Sequence, residues 1–174
     1  TFDWNGTYYE LFSDDVVLFM NFDNRSELGE NSSDFTDVSG YANNGTSGGG
    51  AIANDTGKHG YGGALTLDGT NDYVQTLEDD ADFDFTTNLT LSVWVNLATS
   101  GASTDFNAYA FDKQNQYSLL VEDDERISWY DGAFISTTET ITLNNWHHLS
   151  VTFDEALVSN NVKIYIDGHF SAQG

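Results

Sequence analysis

The stretch Gly62-Gly-Ala-Leu-Thr-Leu-Asp-Gly-Thr-Asn-Asp-Tyr-Val74 decides how the rest of the chain is read. Ala64, Thr66 and Asp68 alternate with Leu65 and Leu67, the two-residue period of a half-buried strand. Asp68-Gly-Thr-Asn-Asp72 then supplies the Gly, Asn and Asp that tolerate turn geometry, and Tyr73-Val74 restarts a β-prone run. The stretch predicts a strand, a tight polar turn and a second strand, closed as a hairpin. A turn this rich in carboxylates is either a structural corner or a cation and ligand site, and the residues alone leave both readings open.

Working outward, Asp15–Phe22 is a short, nearly continuous apolar run that predicts a strand ending at Asp23-Asn24. Residues 24–60 read as one long polar loop, with Gly48-Gly-Gly50 as its most flexible point. Leu89, Leu91, Val93, Val95 and Leu97 alternate with Thr90, Ser92, Trp94 and Asn96, a strand whose second face is partly covered or presents Trp94 to a groove. Further strands are predicted at 108–112, 117–122, 126–130, 133–136, 147–153 and 162–167, separated by Asp-, Asn- and Gly-rich turns. No stretch sustains a helical period. Many short strands at this spacing mean an antiparallel sandwich. Residues 1–13, aromatic but without a period, read as a lead-in, and residues 14–174 as one β-sandwich domain.

Composition narrows the partners. The 28 acidic residues against 5 basic ones give a formal net charge of −23, which excludes nucleic acid as a partner because phosphate binding needs clustered Lys and Arg. An anionic membrane surface is disfavoured for the same reason, and no apolar run approaches the ~20 residues of a membrane span. Such acidity points to a salt-tolerant, repulsion-stabilised surface, with bound divalent cations as a smaller contribution. The chain has no Cys, so it has no disulfide and no thiolate chemistry. The absence of Pro has no physical account. Asn-x-Ser/Thr sequons at Asn5, Asn24, Asn31, Asn44, Asn54 and Asn88 predict an extracellular or cell-surface glycoprotein.

Five segments together resemble a known family: Val17–Asp23, Gly60–Val74, Leu91-Ser-Val-Trp-Val95, Trp146-His-His-Leu-Ser-Val-Thr-Phe-Asp154 and Val162-Lys-Ile-Tyr-Ile-Asp-Gly168. In order and motif they look like the laminin-G-like branch of the concanavalin A-like lectin/glucanase superfamily. The resemblance covers about residues 14–174 and implies an antiparallel two-sheet jelly-roll sandwich. Family members continue past the strand at 162–168, whereas this sequence stops at Gly174, so the last C-terminal strands are expected to be missing from it. The open sheet edge that would result predicts self-association by strand addition.

The resemblance also implies a structural calcium ion near the end of the first strand and the Asp-Gly-x-x-Asp turn, at positions matching Asp23, Asp68, Asn71 and Asp72. The alternative is a turn held by its own Asx hydrogen bonds. Glycoside hydrolysis needs two opposed carboxyls, and the superfamily's enzymes carry Glu-x-Asp-x-x-Glu. The nearest match, Glu122-Asp-Asp-Glu-Arg-Ile127, places Ile127 where the second Glu belongs and reads as a solvated turn. His147 and His148 point to opposite faces of a strand and cannot chelate one metal together. Sugar binding uses aromatic platforms beside polar groups. Tyr41, Trp129 and Tyr130 are the candidates for that role, with Trp94 and Trp146 assigned to the core. The residues and the resemblance together predict a non-enzymatic extracellular recognition or adhesion module that binds a protein or a neutral glycan. The alternative is a lectin-like carbohydrate-binding module attached to a larger degradative enzyme.

Overall fold

A computed structural model describes residues 2–4, 7–9, 15–54, 57–60, 62–76, 81–85, 87–99 and 108–174. The described residues are all-β, joined by turns and three short 3-10 segments. The chain forms two compact units, Thr1–Phe83 and Asp84–Gly174.

The first unit opens with β1 (Phe2–Trp4) and β2 (Thr7–Tyr9), an antiparallel pair within the stretch read as a lead-in. It continues with β3 (Asp34–Phe35), β4 (Gly45–Gly48), β5 (Ile52–Asn54), β6 (Ala64–Thr66) and β7 (Tyr73–Gln75). The decisive stretch does contain two strands, but they are not a hairpin. β6 pairs with β5, matching Ala53 to Leu65, whereas β7 pairs with β4, matching Ser47 to Val74. The turn at 67–72 therefore carries the chain from one sheet to another, as a structural corner. Glycines make the crossing possible: a Cβ at Gly49 would overlap the Asn71 carbonyl, and one at Gly63 the Phe22 carbonyl.

Two further expectations for this unit fail. Residues 24–60 hold three short strands and two 3-10 turns, too brief for a two-residue period to show. Residues 16–25 join no β-ladder. Side chains and one loop amide meet their backbone instead. Asp37 Oδ1 accepts the Phe19 N–H at 2.8 Å, the Val17 carbonyl accepts from Ser39 Oγ and Asn43 Nδ2 at 3.1 Å each, and the Val38 N–H donates to the Phe19 carbonyl at 3.0 Å. Positive φ at Phe22 (56°) and Asn24 (54°) also interrupts the extended run.

The second unit contains β8 (Asn88–Asn96), β9 (Ala108–Lys113), β10 (Tyr117–Val121), β11 (Arg126–Tyr130), β12 (Phe134–Thr140), β13 (Trp146–Asp154), β14 (Val162–Ile166) and β15 (His169–Gln173). They form two four-stranded antiparallel sheets, β12-β11-β10-β9 and β15-β14-β13-β8. Leu119, Val121, Ile127 and Trp129 from the first meet Leu89, Leu149, Val151, Val162 and Ile164 from the second in one buried cluster. This is the expected antiparallel sandwich. β15 was not anticipated. His169–Gln173 lacks a clean apolar alternation, yet it pairs along β14, and its register shifts between Ile164 and Tyr165.

Candidate functional site

The four-stranded sheet β12-β11-β10-β9 carries a groove on the face turned away from the core. Tyr117, Leu119 and Val121 belong to the buried cluster, so strand alternation turns Ser118 and Leu120 to the opposite face. Register then sets the neighbours. Ser118 lies opposite both Asp112 and Tyr130, and Tyr130 lies opposite Phe134, so these four residues form one row across the sheet. In the next row Leu120 lies opposite Tyr109 and Ser128.

Tyr109 reaches this face through an irregularity in the sheet. Leu119 pairs with Phe111, but Leu120 pairs with Tyr109, which leaves Ala110 as an extra residue on β9. Without that bulge Tyr109 would share the coreward parity of Phe111. A bulge re-aims a side chain in just this way.

The groove encloses about 560 Å³, with the turns at 114–116 and 131–133 among its lining. Its walls are aromatic: Tyr109 is 56% exposed, Phe134 61% and Tyr130 36%. The Tyr130 and Phe134 rings contact each other at 4.8 Å between centroids, inclined by 45°. Leu120 is buried at its floor. Ser118 Oγ donates to Asp112 Oδ1 at 2.6 Å, which fixes one carboxylate against the strand beside it. Gln114, Asn115, Gln116 and Asp131 add amides and a second carboxylate, and no Lys or Arg lines the groove. The Tyr117 hydroxyl, pushed up to about 12 by burial and by the Asp84 carboxylate, stays protonated across the ordinary pH range. Exposed ring faces flanked by amides, hydroxyls and carboxylates can stack on the C–H face of a sugar and hydrogen-bond its hydroxyls. With only carboxylates for charge, the groove repels anionic ligands.

Of the three residues expected to bind ligand, only Tyr130 lines this groove. Trp129 does not: it is 2% exposed and stacks on Tyr117 in the core, with 5.5 Å between rings and 12° between planes. The strand parity that turns Tyr130 outward turns Trp129 inward. Tyr41 is 40% exposed and lies in the first unit. Trp94, expected in the core, is 45% exposed. Tyr109, Asp112 and Phe134 were missed, because only the paired register brings them together, Asp112 and Phe134 in one row and Tyr109 in the next.

The residues expected to hold calcium do not form one ligand set. Asp72 Oδ2 accepts the Asp68 N–H at 2.7 Å and Asp68 Oδ1 accepts the Thr70 N–H at 2.8 Å, which are turn bonds. Asp23 Oδ1 instead accepts the Gly63 N–H at 2.8 Å. Asn71 has its carbonyl against Gly49. Among the described residues no group of three or more His, Asp or Glu side chains could hold a metal ion. At this corner Asp72 Oδ1 is buried without a hydrogen-bond partner. Calcium needs six to eight oxygens, so the four residues do not fit the ion. Millimolar Ca²⁺ is therefore expected to leave the thermal midpoint unchanged. A rise of several degrees that Asp72→Asn abolishes would contradict this.

Glu122 and the histidines are held by structural bonds. Glu122 accepts from Ser128 Oγ, from Ser136 Oγ at 2.7 Å and from Arg126 Nη2 at 2.6 Å. Its carboxylate is thus committed within its own sheet. The Thr142 N–H donates to His147 Nε2 at 3.1 Å, which places the ring proton on Nδ1, 2.8 Å from Asp167 Oδ2. Thr142 Oγ1 also lies 2.9 Å from Nε2, but the backbone N–H already occupies the lone pair a general base would use. His148 Nε2 lies 2.7 Å from Ser92 Oγ on the other face of the strand, so the two histidines are separate, as expected.

Among the sequons, Asn24, Asn31, Asn44 and Asn88 are exposed. Asn54 lies in β5 with its amide bonded to Thr66 Oγ1, and Asn5 falls outside the described residues.

Comparison with known proteins adds the following. A laminin G-type family model, described as the concanavalin A-like lectin/glucanases superfamily, matches residues 68–174. A crystal structure of a "putative carbohydrate binding protein" from Bacteroides ovatus ATCC 8483 is similar over 51% of this chain, at 18% identity and a TM-score of 0.44. The chain spans 26% of that protein's length. No curated protein matches the chain.

Proposed function

The chain belongs to the concanavalin A-like lectin/glucanases superfamily, and from that premise we propose that it is a non-enzymatic carbohydrate-binding module whose site is the groove on β12-β11-β10-β9. The observation that carries this reading is the row Asp112, Ser118, Tyr130 and Phe134, with Tyr109 beside it. Three exposed aromatic side chains converge there on a fixed carboxylate and a set of amides. The ligand is a neutral glycan, because uronates and sulfated sugars would meet Asp112 and Asp131 with no compensating base in the lining. The exposed sequons support an extracellular or surface setting, in which such a module displays its groove to polysaccharide.

The test is a neutral-glycan array followed by titration calorimetry on the best hit. Tyr130→Ala and Phe134→Ala are each expected to weaken binding at least tenfold, about 1.4 kcal/mol, without changing the far-ultraviolet spectrum. Binding that survives both substitutions, or silence on glycans together with capture of a protein partner, would refute the reading in favour of adhesion.

A further inference from the structure

The other sheet of the second unit, β15-β14-β13-β8, presents a different aromatic patch on its outer face. Leu91, Val93 and Val95 pack toward the core, so Ser92 and Trp94 face away from it, and Trp94 lies directly opposite His148 on β13. The Trp94 indole is 45% exposed, with the His148 ring 5.0 Å from it and inclined by 54°. Ser92 Oγ holds His148 Nε2 at 2.7 Å, so the imidazole is fixed beside the indole.

A carboxylate borders the same patch. Asp167 Oδ1 accepts the His148 N–H at 2.8 Å and Asp167 Oδ2 is bonded to His147 Nδ1 at 2.8 Å. Burial would raise the Asp167 carboxyl, but the His148 N–H and the His147 side chain outweigh it and hold the group below its usual value. It is therefore ionised at neutral pH. Its side chain remains 43% exposed, so the lone pairs not used by His147 and His148 face solvent. Trp94, His148, Asp167 and Gly168 line a shallow depression of about 340 Å³.

An exposed indole face beside a rigid carboxylate matches a specific chemistry. The indole attracts a cation through its quadrupole and stacks on an apolar ring face, while the carboxylate pairs with an ammonium group. Because Asp167 is held by two hydrogen bonds, little side-chain freedom is lost on pairing. The net charge of −23 favours a cationic ligand further.

We propose that the Trp94–Asp167 patch is a second binding site, which takes the protonated amine and ring face of an amino sugar carrying a free amine. Its choice of a sugar as the bearer of that amine rests on the carbohydrate reading of the chain. The two sites lie on opposite outer faces of one sandwich, so the module would engage two glycan segments at once.

The test compares a glucosamine trisaccharide with its fully N-acetylated counterpart, titrated calorimetrically into the full chain at neutral pH. The short oligomer limits non-specific attraction to the acidic surface. Trp94→Ala leaves the net charge unchanged and so separates the site from that general attraction. The free-amine sugar is expected to bind at least tenfold tighter than the acetylated one. Trp94→Ala and Asp167→Asn should each remove that preference, Trp94→Tyr should retain much of it, and Tyr130→Ala with Phe134→Ala should leave it intact. Equal binding of the two sugars, or a preference untouched by Trp94→Ala, overturns the proposal even if neutral glycans bind the groove. A Trp94-dependent preference without neutral-glycan binding upholds the patch and sinks the groove. No saccharide binding at all overturns both.

Discussion

Trp129→Ala is expected to destabilise the second unit by about 3–5 kcal/mol, the range for truncating a large buried aromatic. Trp129 is among the largest fully buried side chains; it stacks on Tyr117 and belongs to the same buried cluster as the facing sheet's Leu149, Val151 and Ile164. Its indole N–H has no hydrogen-bond partner, so truncation sacrifices packing and no buried hydrogen bond. Trp94→Ala, by contrast, is expected to cost under about 1 kcal/mol, because the removed surface is already half in water. Urea denaturation followed by far-ultraviolet dichroism checks both. Equal costs, or a larger cost at Trp94, would mean that the two faces of the sandwich are assigned the wrong way round.

Asp37→Ala is the second change with a large expected effect, and it acts in the first unit. The carboxylate is buried, and it accepts the backbone N–H groups of Phe19, Ser39 and Asn43 at 2.8–2.9 Å and the Ser39 hydroxyl at 2.6 Å. Removing it strands several donors, and the cost is expected to be about 3 kcal/mol or more. It also removes one of the anchors that stand in for a strand partner along residues 16–25. Burial works to raise the Asp37 carboxyl, but these bonds prevail and hold it below the usual carboxylate value. A folded-state value below the unfolded one means the stabilisation is complete above about pH 4 and is lost as pH falls through the folded value. The difference between native chain and Asp37→Ala should therefore be constant from neutral pH down to about 5 and shrink in stronger acid. A difference that grows on acidification would refute this assignment.

The second unit was largely legible in the sequence because its strands are long enough to show their period. Leu89–Leu97 and Val162–Ile166 announce both a strand and its buried face, and both are confirmed. The first unit was less legible, since its described strands are only two to four residues long and much of its order comes from side chains such as Asp37. The stretch 62–74 shows the limit most clearly. Alternation revealed both of its strands, but which strand each one pairs with depends on Gly49 and Gly63 admitting a close backbone approach from elsewhere.

The candidate site was legible only at Tyr130. Trp129 and Tyr130 are adjacent and equally aromatic, so choosing between them needed the parity of β11 relative to the core. Tyr109 was hidden more deeply, because a one-residue bulge reverses the face its position would otherwise take. Phe134 stands out only as the cross-strand partner of Tyr130. A row assembled from four strands has no local signature in the chain.

The most direct test of the carbohydrate-binding reading is a two-dimensional amide spectrum of the chain, recorded as a neutral oligosaccharide is added. The reading predicts shifts concentrated at Tyr109, Asp112, Asn115, Ser118, Tyr130 and Phe134, with the buried amides of β13 and β14 unmoved. A spectrum that stays unchanged at millimolar sugar, or shifts confined to the first unit, would contradict it.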